Sequence, residues 1–281
     1  MPQPYLFDVH THIQFAAFKD DYEAVIQRAL NKNIWLVNVG TQKDTSARAV
    51  EIAEKFSEGV YAAIGLHPIH TEKSYHDPQE LGGDKGLTSR EEDFDYDYYK
   101  KLAAHPKVLA IGECGLDYYI IKSPESKTKQ EKSFRTQIEL AIELQKPLMI
   151  HCRQAFEDLI KVLSSYFLIH NSGNAGVVHF FSGTTEDAKK LLDLGFSFSF
   201  GGVITFVRDY DEAIKYIPLE KIVLETDAPY VAPVLYRGKR NEPVFVEEAA
   251  KKLAEIKNVS IDKVAEQTTQ NAREIFTPLE V

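Results

Sequence analysis

Short apolar runs alternate with amphipathic stretches along the whole of this chain. The runs cover residues 7–12, 35–40, 60–67, 108–112, 147–151, 177–181, 196–201 and 222–225. Each of these short apolar runs reads as a strand. Between them, apolar residues recur at helical spacing over 22–31, 46–56, 130–145, 156–166, 186–194 and 212–216, and again over 247–256 after the last run. Eight strands in alternation with helices predict an α/β fold, a closed parallel (β/α)8 TIM barrel rather than an open sheet. The 281 residues fit one such barrel and no linker rich in Pro, Gly or Ser interrupts them, so 1–281 reads as a single domain.

One stretch breaks the alternation. Residues 70–99 form a long polar insert with the run E-E-D-F-D-Y-D at 91–97. Its acidic end suits the first turn of the third helix, where negative charge complements the helix dipole. A lid over the barrel mouth is the other reading.

Composition then narrows the class. With 44% hydrophobic and 27% charged residues the chain supports a sizeable core and gives no sign of disorder. A formal charge of −9 excludes a generally basic nucleic-acid-binding surface but leaves room for a local positive site. The two cysteines, Cys114 and Cys152, form no disulfide framework, and inert thiols in a reduced protein are expected. The first residues carry no basic region followed by an apolar stretch, and no run reaches membrane-spanning length. A soluble cytoplasmic protein is therefore expected. Oligomeric state is not written in the sequence, and a monomer is the default.

The chemistry lies where the runs end. The first, F-D-V-H-T-H at 7–12, closes on His10 and His12, and period-two alternation puts Asp8, His10 and His12 on one face with Val9 and Thr11 on the other. Glu113 follows the fourth run, His151 ends the fifth, His179 lies in the sixth and Asp227 follows the eighth. In a parallel barrel such positions converge on the C-terminal mouth. Burying four imidazoles and two carboxylates together without a cation is costly, so the set predicts a metal site. Imidazole donors suit Zn or Mn, and the carboxylates also accept Mg.

These residues bring out a resemblance to the TatD family of metal-dependent hydrolases, within the amidohydrolase-like barrels. It rests on 8–12, on G-L-H-P at 65–68, I-G-E-C-G-L-D-Y at 111–118, P-L-M-I-H-C-R at 147–153, H-F-F-S-G at 179–183 and E-T-D-A-P-Y-V-A-P at 225–233. R-G-K-R-N-E-P at 237–243 and Asn271-Ala272-Arg273 complete it. The resemblance implies two divalent metal ions, with His10 and His12 on one, His151 and His179 on the other, Glu113 near or between both, and Asp227 as ligand and proton acceptor. The chain departs from the pattern at Ile13-Gln14, where the family has Leu-Asp, and in the length of the 70–99 insert.

The function expected is that of a TatD-like deoxyribonuclease, a 3′-5′ exonuclease that cleaves phosphodiester bonds with metal-activated water. With two divalent ions and a bridging hydroxide the site would carry about +1, which attracts an anionic substrate. His67, Arg153 and Arg237 are candidates for holding substrate phosphates, against plainer roles in a strand-end hydrogen bond, an ion pair and a solvated loop. Glu225 shares the strand face of Asp227 and is placed to orient a ligand, while Tyr118 and Tyr230 can either stack on bases or simply pack. Single-stranded DNA ends are the expected partner. An ester hydrolase acting on D-aminoacyl-tRNA is the alternative within the family, and a non-catalytic metal- or nucleic-acid-binding module is the alternative outside it.

Overall fold

Eight parallel strands close on one another in the order β1-β8-β7-β6-β5-β4-β3-β2. They are β1 (Leu6–Thr11), β2 (Ile34–Val39), β3 (Val60–Ile64), β4 (Val108–Asp117), β5 (Leu148–Arg153), β6 (Gly176–Val178), β7 (Phe196–Phe200) and β8 (Ile222–Leu224). The structure, a computed structural model, describes residues 3–73, 75–76, 87–88, 91–119, 123–167 and 175–276. All eight predicted strands are present, and the fold is a (β/α)8 barrel.

Helices follow the strands. They are α1 (Tyr22–Leu30), α2 (Lys43–Glu54), α3 (Tyr96–Ala103), α4 (Pro124–Leu144), α5 (Phe156–Phe167), α6 (Thr185–Asp193), α7 (Asp211–Tyr216), α8 (Val246–Lys257) and α9 (Ile261–Ile275). Two layers of apolar packing result. Phe7, Val9, Val37, Ala63, Leu109, Ala110, Met149, Val177 and Val223 form one cluster to which every barrel strand but β7 contributes, which identifies it as the barrel interior. Ile275 and Phe276 join it from the end of α9. That helix lies beyond the last predicted one, because its apolar face is spaced among polar residues. On β7 the positions alternating with Phe196, Phe198 and Phe200 are the buried Ser197 and Ser199, so polar groups stand where the other strands place hydrocarbon. The second cluster joins the outer strand faces to the helices.

The longer-than-predicted helix α4 matters for the site. It starts at Pro124, with the Ser123 side chain accepting from the Ser126 amide, and its buried face carries Gln130 and Gln137. Gln137 accepts from the Leu66 amide at 2.9 Å and donates to the Leu66 carbonyl at 2.9 Å, fixing the chain next to His67. The end of the insert behaves as the acidic run predicts: Asp95 caps α3 by accepting from the Tyr98 amide at 3.1 Å, and Asp97 sits in its first turn. Glu91 pairs with Lys129 of α4 and Glu92 accepts from the Lys43 amide of α2, so this end lies along the helices. A short antiparallel ribbon joins Tyr75–His76 to Leu87–Thr88. Within the 70–99 insert that the lid reading concerns, residues 74, 77–86 and 89–90 lie outside the described residues.

Candidate metal centre

Each of the six predicted ligand-type residues reaches the C-terminal mouth. Glu113 is the centre. Its Oε2 faces His10 Nε2 at 3.5 Å and His12 Nε2 at 3.7 Å, while its Oε1 faces His151 Nδ1 at 3.0 Å and His179 Nε2 at 2.8 Å. Asp227 Oδ1 stands 3.4 Å from His12 Nε2 and 3.8 Å from His10 Nε2. In the triads His10/His12/Glu113, Glu113/His151/His179 and His10/His179/Asp227 the ligand atoms all lie within 4.8 Å of one another.

How the chain delivers these groups differs from simple alternation. Val9 joins the interior layer, yet His10 still reaches the site, because the β1–β2 register shifts between Asp8 and Thr11. Asp8 does not share the ligand face as the period-two reading expected. It accepts instead from the Thr226 hydroxyl at 2.6 Å and amide at 2.9 Å, tying β1 to the segment that carries Asp227. Strand β4 likewise shifts register between Ile111 and Cys114 and runs four residues beyond Glu113. Asp227 lies past the end of β8, at φ 56°, with its amide donating to the His10 carbonyl at 2.9 Å.

Three of the imidazoles have their second nitrogen turned to a particular acceptor. His12 Nδ1 donates to the Val39 carbonyl at 2.7 Å, His151 Nε2 faces Asp117 Oδ2 at 2.9 Å, and His179 Nδ1 points to Glu225 Oε2 at 3.5 Å. Glu225 is fully buried and receives the Ser199 hydroxyl, which explains the polar residue at that position of β7. Gln14, where the family has a carboxylate, donates to the same Val39 carbonyl at 2.6 Å, so this departure supports the anchor of His12.

Electrostatically the cluster is unbalanced. Burial and the neighbouring His179 push His10 down to about 3, so it is a bare base. Burial also lowers His67. For His12, His151 and His179 burial again favours the neutral ring, but the facing carboxylates outweigh it and raise all three, His179 most clearly. Burial opposes ionisation of Glu113, yet the surrounding imidazoles hold it well below the usual carboxylate range. A charged carboxylate with the nitrogens of four buried imidazoles turned toward it is a donor set that a divalent cation satisfies.

The remaining predicted residues divide. His67 belongs to the cluster itself, its Nε2 3.3 Å from Glu113 Oε1, and so sits deeper than a peripheral phosphate contact. Arg153 lines the pocket at its open side. Arg237 is the exception: its guanidinium is held over the Phe206 ring at 4.4 Å and donates to the Ala232 carbonyl, and it is not among the residues that line the pocket. Tyr230 lines the pocket, whereas Tyr118 bonds Asp158 outside it. Sequence reasoning gave Asp117 no role, although the motif containing it was read. Its signal was the period of two from Glu113 through Gly115. Cys114 and Cys152 are buried and unpaired, and burial pushes both thiols up, away from the reactive thiolate. The pocket holds about 460 Å³.

A parallel barrel whose C-terminal mouth gathers imidazoles and carboxylates fits the class of metal-dependent hydrolases. The chain belongs to the TatD-related DNase family, whose model matches residues 7–277. It is 38% identical over 274 residues to the uncharacterized metal-dependent hydrolase YabD of Bacillus subtilis, covering 96% of this chain and 98% of that one. It is 32% identical over 279 residues to the 3′-5′ ssDNA/RNA exonuclease TatD of Pantoea ananatis, with 96% and 99% covered. The crystal structure of YjjV, a TatD homologue from Escherichia coli K12, superposes with a TM-score of 0.81 at 28% identity, covering 97% of this chain and 98% of the other. Among the described residues no helix is long and apolar enough to cross a membrane.

Proposed function

We propose that this protein is a two-metal phosphodiesterase that trims single-stranded DNA from a 3′ end. The observation that carries the reading is the division of Glu113, whose two oxygens face two separate pairs of imidazoles. His10 and His12 would hold one divalent ion, His151 and His179 the other, with Glu113 between them and Asp227 beside the first. Such ions supply Lewis acidity and lower the pKa of water. Asp227, at the solvent-accessible edge with 16% of its side chain exposed, is the base that accepts the proton of the attacking water. Arg153 meets the pocket and grips a phosphate beside the cut.

The name of the Pantoea relative describes an exonuclease on single-stranded nucleic acid, and this supports the same substrate class here. A recess of about 460 Å³ in a protein of charge −9 favours a thin strand end over a long duplex. Zn or Mn is the metal best matched to the imidazole donors. The test is turnover of end-labelled single-stranded DNA with Mg, Mn and Zn, beside a D-aminoacyl-tRNA ester. Shortening from the 3′ end supports the reading, and hydrolysis of the ester without any cutting of DNA overturns it.

A further inference from the structure

The carboxylate of Asp117 is fully buried four residues beyond Glu113 on β4, and it serves two masters. On one side Oδ2 meets His151 Nε2 at 2.9 Å. On the other, Arg153 approaches with Nε 3.1 Å from Oδ1 and 2.9 Å from Oδ2, and with Nη2 2.8 Å from Oδ2. Oδ1 also accepts from the Tyr119 amide at 3.0 Å, and the Arg153 guanidinium lies over the Tyr119 ring at 4.4 Å. The backbone beneath is clamped from both sides by Gln130 of α4, which accepts from the Asp117 amide at 2.9 Å and donates to its carbonyl at 3.0 Å.

We propose that Asp117 is a positioning residue that joins the metal centre to substrate binding. It sets the tautomer of His151 and, with the same carboxylate, aims Arg153 at the substrate's anionic group. The inference rests on the reading of His151 as a metal ligand. An Nε2–H donated to Asp117 leaves the Nδ1 lone pair bare, and Nδ1 is the atom 3.0 Å from Glu113 and 3.3 Å from His179. The opposite tautomer would put a proton where a cation must sit. Arg153 is half-exposed, and without the carboxylate its guanidinium would lose its ion pair and keep the Tyr119 ring contact. Register makes the coupling rigid: β4 and β5 pair Gly115 with His151 and Asp117 with Arg153 directly.

Nitrogen-15 NMR of the metal-free wild-type protein, at a pH where His151 is neutral, reads the tautomer directly. An Nε2–H ring is expected, and an Nδ1–H ring would overturn the proposal without any variant. Titration with Zn against a chelating dye then compares Asp117→Asn and Asp117→Ala with wild type. Affinity should fall by about tenfold to a hundredfold, least for Asn, which keeps an acceptor oxygen. Arg153→Ala should leave Zn affinity unchanged and raise KM, whereas Asp117→Asn should change both. Wild-type affinity and an unchanged tautomer in Asp117→Ala would refute the role. If His151→Ala also left Zn binding intact, the failure would lie in the ligand assignment instead.

Discussion

At the scale of single residues the centre is organised by which atom of each side chain is already engaged. Glu113 spends one oxygen on each pair of imidazoles, so Glu113→Gln should lose the second metal ion before the first, because a neutral amide cannot balance two cations. Metal analysis of the dialysed variant checks this, and unchanged stoichiometry would rule out a bridging position. Asp227→Asn should lower kcat by about a hundredfold or more while leaving binding of an oligonucleotide largely intact, as expected for loss of a general base. The raised imidazoles give a pH dependence of known sign. His12, His151 and His179 keep their protons to higher pH than free histidine, and a metal ion must displace those protons. Metal affinity should therefore rise with pH across the neutral range, by about tenfold per unit for each proton displaced, and fall as the solution is acidified. A flat titration profile would contradict the assignment of these rings as ligands.

At the scale of elements the site depends on how closely β4 and β5 run. Gly115 has φ 137°, and a Cβ added there would lie 2.0 Å from the His151 carbonyl oxygen. Only glycine allows the two strands to stay in contact opposite His151. Gly115→Ala should cost about 1–3 kcal/mol from backbone strain alone and more from displaced packing, and it should weaken metal binding through His151 and Asp117 together. Denaturant titration with and without Zn separates the two effects. A variant as stable as wild type and with unchanged affinity would show that this close approach is not needed.

At the scale of the molecule, a net charge of −9 surrounds a centre that, on the two-metal reading, would carry about +1 with its ions bound. Chelation should therefore remove substrate binding and also stability, since the folded centre binds the ions and the unfolded chain does not. With metal at about a hundred times its Kd the stabilisation would be about 2.7 kcal/mol, visible as a lower Tm after chelator treatment. An exonuclease with its centre in a recess should also leave closed circular DNA uncut, and rapid nicking of such DNA would argue for an endonuclease.

Much of this was legible from the sequence. The period of the apolar runs specified eight strands and their alternation with helices, because strands buried on both faces must be apolar and the closed barrel is a common way to bury so many in parallel. The same runs brought His10, His12, Glu113, His151, His179 and Asp227 to one mouth, since parallel strands all end on the same side. What only tertiary structure decided was how each group is aimed. The register shifts in β1 and β4 overrode strict alternation at His10 and Glu113, and turned Asp8 away to Thr226. Arg237 is held over Phe206 instead of lining the pocket, and the packing of α4 on β4 brought Gln130, within the predicted helix, under Asp117. Periodicity along one strand reports which face a residue occupies. The partner of each nitrogen and carboxylate oxygen is set by neighbouring strands and helices far away in the chain, through close packing and the need to satisfy every buried polar group.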